Sequence, residues 1–306
     1  MSRHTPLGAA ILALATLASL AKAQKPPTGL RAHTQIVLLG TGAPPPDPDR
    51  SGPATAIVVN GTAYLIDAGP GLVRRAKAAS DKGIGALEPT KLRLVFFTHL
   101  HSDHTAGFPD LILTPWAMGR RVPLEVYGPV RVKAMAAHLL EAYRVDIDTR
   151  IKDDPIVPLG SPSGYQVNAH EIRAGIVYKD GNVTVTAFPT KHVMESYGYR
   201  FDTPDRSIVI SGDTSPVQAT IEACHGCDVL IHEVIPLAEL AKVPALQPYA
   251  AKYHTTTAQL ADLASRAKPR LLILDHVQSV WTQGLLQEMK GRYSGNVVVG
   301  RDLDVY

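Results

Sequence analysis

Short apolar runs alternate along most of the chain with polar stretches broken by glycine and proline, which predicts strands and helices in regular succession. The first expected strand is QIVLLG from Gln35, running into the loop GTGAPPPDPDRSGPA, where no regular element continues. TAIVVNGTAYLIDAG reads as two strands joined by a hairpin turn at Asn60-Gly61. A helix is expected in GLVRRAKAASDKG and a strand in KLRLVFFT. The middle holds PLEVYGP, a helix from Val130 to about Tyr143, and a polar stretch, DIDTRIKDDPIVPLGSPSG, expected to be a surface loop or lid. Strand pairs resume from Tyr165 with a turn at Asp180-Gly181. A second half then repeats the scheme through YGYRFD, RSIVISGDT, DVLIHEV, RLLILDH and NVVVGRDLDVY, with helices in SPVQATIEACHG, TTAQLADLASRA and VWTQGLLQEMKG. This pattern gives an α/β protein of two sheets packed face to face with helices outside, with no tandem repeat and no linker dividing the core.

The amino terminus departs from that scheme. Arg3 and His4 precede an apolar stretch from Leu7 to Ala21, followed by Ala21-Lys22-Ala23, the layout of a cleavable export signal. Residues 1–23 are therefore expected to be a signal peptide, 24–34 a short leader and 35–306 the folded hydrolase domain, in a periplasmic or secreted protein without stable membrane insertion after cleavage. The 306 residues are 45% hydrophobic, enough for a sizeable core. Their formal charge of +3 falls to about +1 once Arg3 and Lys22 are lost, without the basic excess of a nucleic-acid binder. Two cysteines, Cys224 and Cys227, suit either a disulfide or two small buried residues.

Chemistry concentrates in FFTHLHSDHTAGFPD. Alternate histidines His99 and His101 can project the same way from an extended segment, while Asp103 and His104 serve a neighbouring position, so one turn can supply ligands to two metals. Nitrogen and carboxylate donors without thiolates favour zinc, with manganese or iron as substitutes. THLHSDH resembles the signature of the metallo-β-lactamase superfamily. LIDAGPG, the His192 of FPTKH, the Asp213 of SGDT and the His276 of LLILDH follow in the family's order. The resemblance spans roughly residues 35–306 and implies a four-layer αββα sandwich. It implies that His99, His101 and His192 bind one metal, that Asp103, His104 and His276 bind the other, and that Asp213 bridges them. Asp67 is expected to orient a ligand from behind.

DVLIHEV, with Glu233, and YHTTTAQLADLA, with His254, resemble motifs of the ribonuclease Z and arylsulfatase-like branch, where such a pair delivers a proton to the leaving group. The expected catalytic set is His254, Glu233, Asp103 and Asp213, with a hydroxide bridging two Zn²⁺ ions as nucleophile. His232 is expected to be structural, and His33, His138, His170 and His225 to lie in surface or packing positions. Two positively charged metals favour an anionic ester. The segment from His192 to Asp213 has no room for the tRNA-gripping arm of ribonuclease Z, and the loop containing Arg50 lacks that family's lysine and asparagine. On these grounds a small phosphodiester is the expected substrate and no specific nucleic acid the expected partner. An arylsulfatase or lactonase ranks next, a tRNA-processing ribonuclease Z lower, and a non-catalytic metal-binding protein last. Relatives are often dimers, which leaves a homodimer open.

Overall fold

Strands β1 (Thr34–Gly40), β2 (Ala54–Val59), β3 (Thr62–Ile66), β4 (Leu94–Phe96), β5 (Leu124–Gly128) and β6 (Val167–Glu171) hydrogen-bond in that order into one sheet of a computed structural model that describes Met1 and residues 34–154 and 163–306. A second sheet runs from β7 (Gly175–Lys179) through β8 (Thr184–Pro189), β9 (Tyr197–Asp202), β10 (Ser207–Ile210), β11 (Val229–Glu233) and β12 (Leu271–Asp275) to β13 (Val297–Val299). The expected signal peptide beyond Met1, nearly all of the leader and His33 lie outside the described residues, and β1 begins at Thr34, the last residue assigned to that leader.

Both faces of the central strands are buried, which is why their sequences are continuous apolar runs. In β1, Ile36 and Leu38 join Ile57, Tyr64, Phe96 and Tyr199 in the core between the sheets. Val37 and Leu39 face the other way, towards the helices Leu72–Asp81 and Phe108–Ala117. The second sheet does the same, with Ile231 and Ile273 inward and Leu230 and Leu272 against the helices Thr257–Ala267 and Thr282–Lys290. Phe96 centres the inner layer, its ring 5.2 Å from that of Tyr127 and 5.5 Å from that of Phe201. Two sheets with helices on both outer faces make the four-layer sandwich. No helix among the described residues is long and apolar enough to cross a membrane.

The hairpin turn falls at Asn60 and Gly61, both at positive φ. The free edge of β1 is covered from the far end of the sequence: Ile36 N–H donates to Tyr306 O at 3.0 Å, and Tyr306 N–H returns to Ile36 O at 2.9 Å. Cys224 and Cys227 form a disulfide, which closes the alternative left by the sequence.

The polar stretch expected as a loop or lid instead opens as a helix, Arg144–Asp153, and its residues 155–162 lie outside the described set. One buried apolar anchor, Ile147, packs in a cluster with Trp116, and Arg150 bridges Asp146 and Asp154 one turn away on either side. Such i,i+4 ion pairs suit a polar helix but leave no apolar periodicity to detect. The helices Phe108–Ala117, Leu237–Leu240 and Gln247–Tyr253 were also not anticipated.

Candidate metal centre

Apart from His254, which follows the helix Gln247–Tyr253, every functional candidate sits at or just beyond the carboxyl end of a strand. His99 follows β4, and Asp103 and His104 lie in the one-turn helix Ser102–Thr105. His192 follows β8, Asp213 follows β10, Glu233 closes β11 and His276 follows β12. Backbone strain helps to aim them. Asp67 and His276 adopt φ of 59° and 58°, and Gly212, at φ 59°, lies where a Cβ would come within 2.7 Å of Thr98 Cβ. Only glycine fits there, so the backbone can bring Asp213 under the histidines.

Two clusters result. One ligand atom from each of His99, His101, His192 and Asp213 lies within 4.8 Å of the others, and the same holds for Asp103, His104 and His276. His101 Nδ1 is 3.0 Å from His99 Nε2 and 3.1 Å from His192 Nε2. A tetrahedron of nitrogens around zinc has edges of ~3.3 Å at ordinary bond lengths, so these spacings suit a shared cation. The outer ring nitrogens are already committed. Thr98 Oγ1 accepts from His99 Nδ1 at 3.1 Å, Tyr253 O from His192 Nδ1 at 3.1 Å and Asp67 Oδ2 from His104 Nδ1 at 2.9 Å. Asp67 is itself fixed by the Thr98 N–H and hydroxyl, each at 2.8 Å, and therefore orients His104 from behind.

Charge distinguishes the two sides. Burial lowers the pKa of His99 and His101 and brings that of His192 to about 4, leaving three neutral imidazoles with lone pairs to donate. At His276 burial is outweighed by Asp213 and Asp103, which hold its pKa up at about 9, and His104 is raised in the same way by Asp213 and Asp67. Asp213, buried among these rings, stays ionised well below the usual range because His276 and His104 outweigh its burial. His104 Nε2 and Asp213 Oδ1 nonetheless face each other at 3.4 Å, both buried and without a hydrogen bond. Unpaired buried polar atoms are costly, and bound cations would satisfy them, taking over the charge that the histidine protons supply. The donor set thus fits divalent metal.

Beside the clusters, His254 Nδ1 lies 3.0 Å from both carboxylate oxygens of Glu233, and Thr214 N–H donates to Oε1 at 2.7 Å. Glu233 outweighs burial and raises the His254 pKa. His254 also lines a cavity of about 670 Å³ together with His101, Asp103, Asp213 and His276. His232 is fully buried, its Nδ1–H donating to Glu233 O at 2.7 Å, while His138, His170 and His225 are exposed. Arg50 does not line the cavity. Its guanidinium is tied to Thr41, Thr282 and the Gly300 carbonyl, and the neighbouring residues Ala43, Pro44 and Pro45 reach the cavity instead.

The sequence model of the beta-lactamase superfamily domain matches residues 62–277, more than half of the chain. The chain belongs to the metallo-β-lactamase superfamily. Within this superfamily it is 32% identical over 279 residues to ribonuclease Z of Mycobacterium bovis (strain BCG / Pasteur 1173P2), covering 88% of this chain and 96% of that one. Ribonuclease Z of Mycobacterium sp. (strain KMS) is 36% identical over 249 residues, covering 79% and 83%. The short form of human tRNase Z superposes with a TM-score of 0.67 at 23% identity, covering 89% of this chain and 98% of that structure. The metallo-β-lactamase fold protein YhfI of Bacillus subtilis superposes with a TM-score of 0.66 at 18% identity, over 89% and 98%. The protein is a metal-dependent hydrolase acting on ester bonds.

Two expectations are corrected by these relatives. A small-ester hydrolase was ranked above a ribonuclease Z, and no specific nucleic acid was expected as partner; sequence identity to ribonuclease Z along nearly the whole chain overturns both. Recognition does not follow from averages. Net charge sums over the whole surface, and a missing arm removes a grip on substrate without touching the groups that break the bond.

Proposed function

We propose that this member of the superfamily is a ribonuclease Z-type phosphodiesterase that cleaves RNA near a 3′ end. The observation that carries the reading is the Glu233–His254 pair at 3.0 Å beside the ligand clusters, in a chain 32–36% identical to ribonuclease Z over most of its length. His99, His101 and His192 would hold one zinc ion, Asp103, His104 and His276 the second, with Asp213 serving both. Such ions supply Lewis-acid activation of water and neutralise charge on the phosphoryl oxygens.

The chain's own residues do the rest. Glu233, fixed by the Thr214 N–H, holds the His254 ring in one orientation through Nδ1 and favours its protonated form. The Nε2–H of His254 is then free to pass its proton to the departing ribose oxygen as the phosphorus–oxygen bond breaks, leaving a hydroxyl on the upstream product. Asp67 keeps His104 aimed at the cluster. We further infer, from the charged, apolar and Ala-x-Ala pattern of residues 1–23, that the enzyme is exported. Mass spectrometry of the mature form should find Gln24 first.

The test is incubation of the zinc-loaded protein with a 3′-extended tRNA precursor and with an unstructured oligoribonucleotide, mapping the products. Site-specific scission that disappears on chelation and in Asp213→Ala supports the proposal. Hydrolysis of other esters by the same preparation, with both RNAs left intact, overturns it.

A further inference from the structure

The cavity above the metal cluster has two kinds of wall. Its buried lining is ionic, from Asp103, Asp213, His254 and His276, while its outer lining is apolar and aromatic, from Pro44, Pro45, Val243, Leu246, Tyr249 and Trp281. Val243, Leu246 and Tyr249 are each more than one-third exposed, an unusual expense for three apolar side chains on one short segment. Apart from histidines, one cationic side chain lines the cavity. It is Lys242, whose Nζ donates to Glu239 Oε1 at 2.6 Å. A wall of this composition does not track a phosphate backbone, which requires unneutralised lysines and arginines. It suits the flat faces of a nucleobase.

We infer that this outer wall is a base-stacking subsite, in which Trp281 and Tyr249 receive an unpaired nucleobase beside the scissile phosphate; this rests on the ribonuclease reading above. Tyr249 is already held for such a role, its ring 5.4 Å from that of His254 and 5.2 Å from that of Tyr253, so little side-chain freedom is lost on binding. A cavity of about 670 Å³ lies within the size range of small-ligand pockets, large enough for a nucleotide. A base inside a duplex has both faces covered by its neighbours and cannot enter. The nucleotide received there is therefore unpaired.

Two oligoribonucleotides that differ only in whether the nucleotides flanking the scissile bond carry bases or are abasic provide the test, using the zinc-loaded full chain. Stacking contributes about 1–3 kcal/mol per base, so removing the bases should raise KM about 5-fold to 150-fold in the wild type. That difference should collapse in Trp281→Ala and Tyr249→Ala and return in Trp281→Phe. Val280→Ala, at an exposed neighbour outside the cavity lining, should match the wild type and so controls for local disturbance. Equal KM for both oligonucleotides in the wild type, or undiminished discrimination in Trp281→Ala and Tyr249→Ala, overturns the subsite while leaving the ribonuclease reading intact. Failure to cleave either oligonucleotide while the tRNA precursor is still cut overturns the subsite alone, and failure on all of these RNAs sinks the ribonuclease reading and the subsite with it.

Discussion

The floor and the rim of the cavity are built by opposite means. The floor takes most of its residues from at or just beyond the ends of strands in both sheets and fixes several by a committed hydrogen bond, as Asp67 fixes His104 and Tyr253 O fixes His192. The rim comes from short segments, Leu237–Leu240, Gln247–Tyr253 and the turn Ser279–Trp281, which expose apolar side chains. A site that must place charge to within a fraction of an ångström is anchored on the rigid sheets. A surface that must accept a variable flat group can sit on short helices.

That contrast can be broken most severely at Asp213. Asp213→Ala should lower kcat about 1,000-fold or more on every ester and reduce metal content by at least one ion per chain, read by elemental analysis. Retention of both would mean that the floor does not depend on its shared carboxylate.

Behind the floor, His232 carries a stability cost that the rim does not share. Burial lowers its pKa to about 4, against an unfolded value near 6.5. A depressed folded pKa means that its contribution is fully present above the unfolded value and is lost as pH falls from about 6.5 towards 4, by up to about 3 kcal/mol. Urea unfolding of chelated protein at pH 7 and pH 4.5 should show a smaller acid loss in His232→Gln than in the wild type. Equal losses would mean that this imidazole is not kept neutral by the fold.

At the boundary between floor and rim, His254→Ala should slow esters with poor leaving groups about 100-fold or more, yet have far less effect on an activated nitrophenyl ester, with metal content intact. Glu233→Gln should follow the same leaving-group pattern more weakly. Equal loss on both ester types would recast His254 as a ligand or positioning group. The smallest effect is expected at the rim itself, where Leu246→Ala should raise KM for RNA about 5-fold without changing metal content. A large fall in kcat there would erase the division between the two regions.

The same division governed what the sequence disclosed. His99, His101, Asp103 and His104 lie within six positions behind an apolar strand, and His192, Asp213 and His276 each follow one, in an order whose resemblance to the metallo-β-lactamase superfamily brought the candidates together. The rim had no such signal. Trp281 lies more than thirty positions from Tyr249, and the segments around them are too short for a helical period to emerge. Arg144–Asp153 was hidden by its polarity, since one buried residue, Ile147, does not make a stripe. Arg120 was hidden in the opposite sense. It is a charged residue in a turn-like stretch, yet it is buried with its guanidinium donating to the carbonyls of Leu92, Leu111, Ile112 and Gly164. Backbone acceptors satisfy such a cation only once the tertiary structure has assembled them.

The return of Asp304 and Tyr306 onto β1 bears on how molecules of this protein keep apart in solution. Without them, the backbone of β1 would present free N–H and C=O groups to any passing extended chain, a template for adding strands from one molecule to the next. Asp304 and Tyr306 thus occupy the place along the first strand of the sandwich that an extended segment of a second molecule could otherwise take.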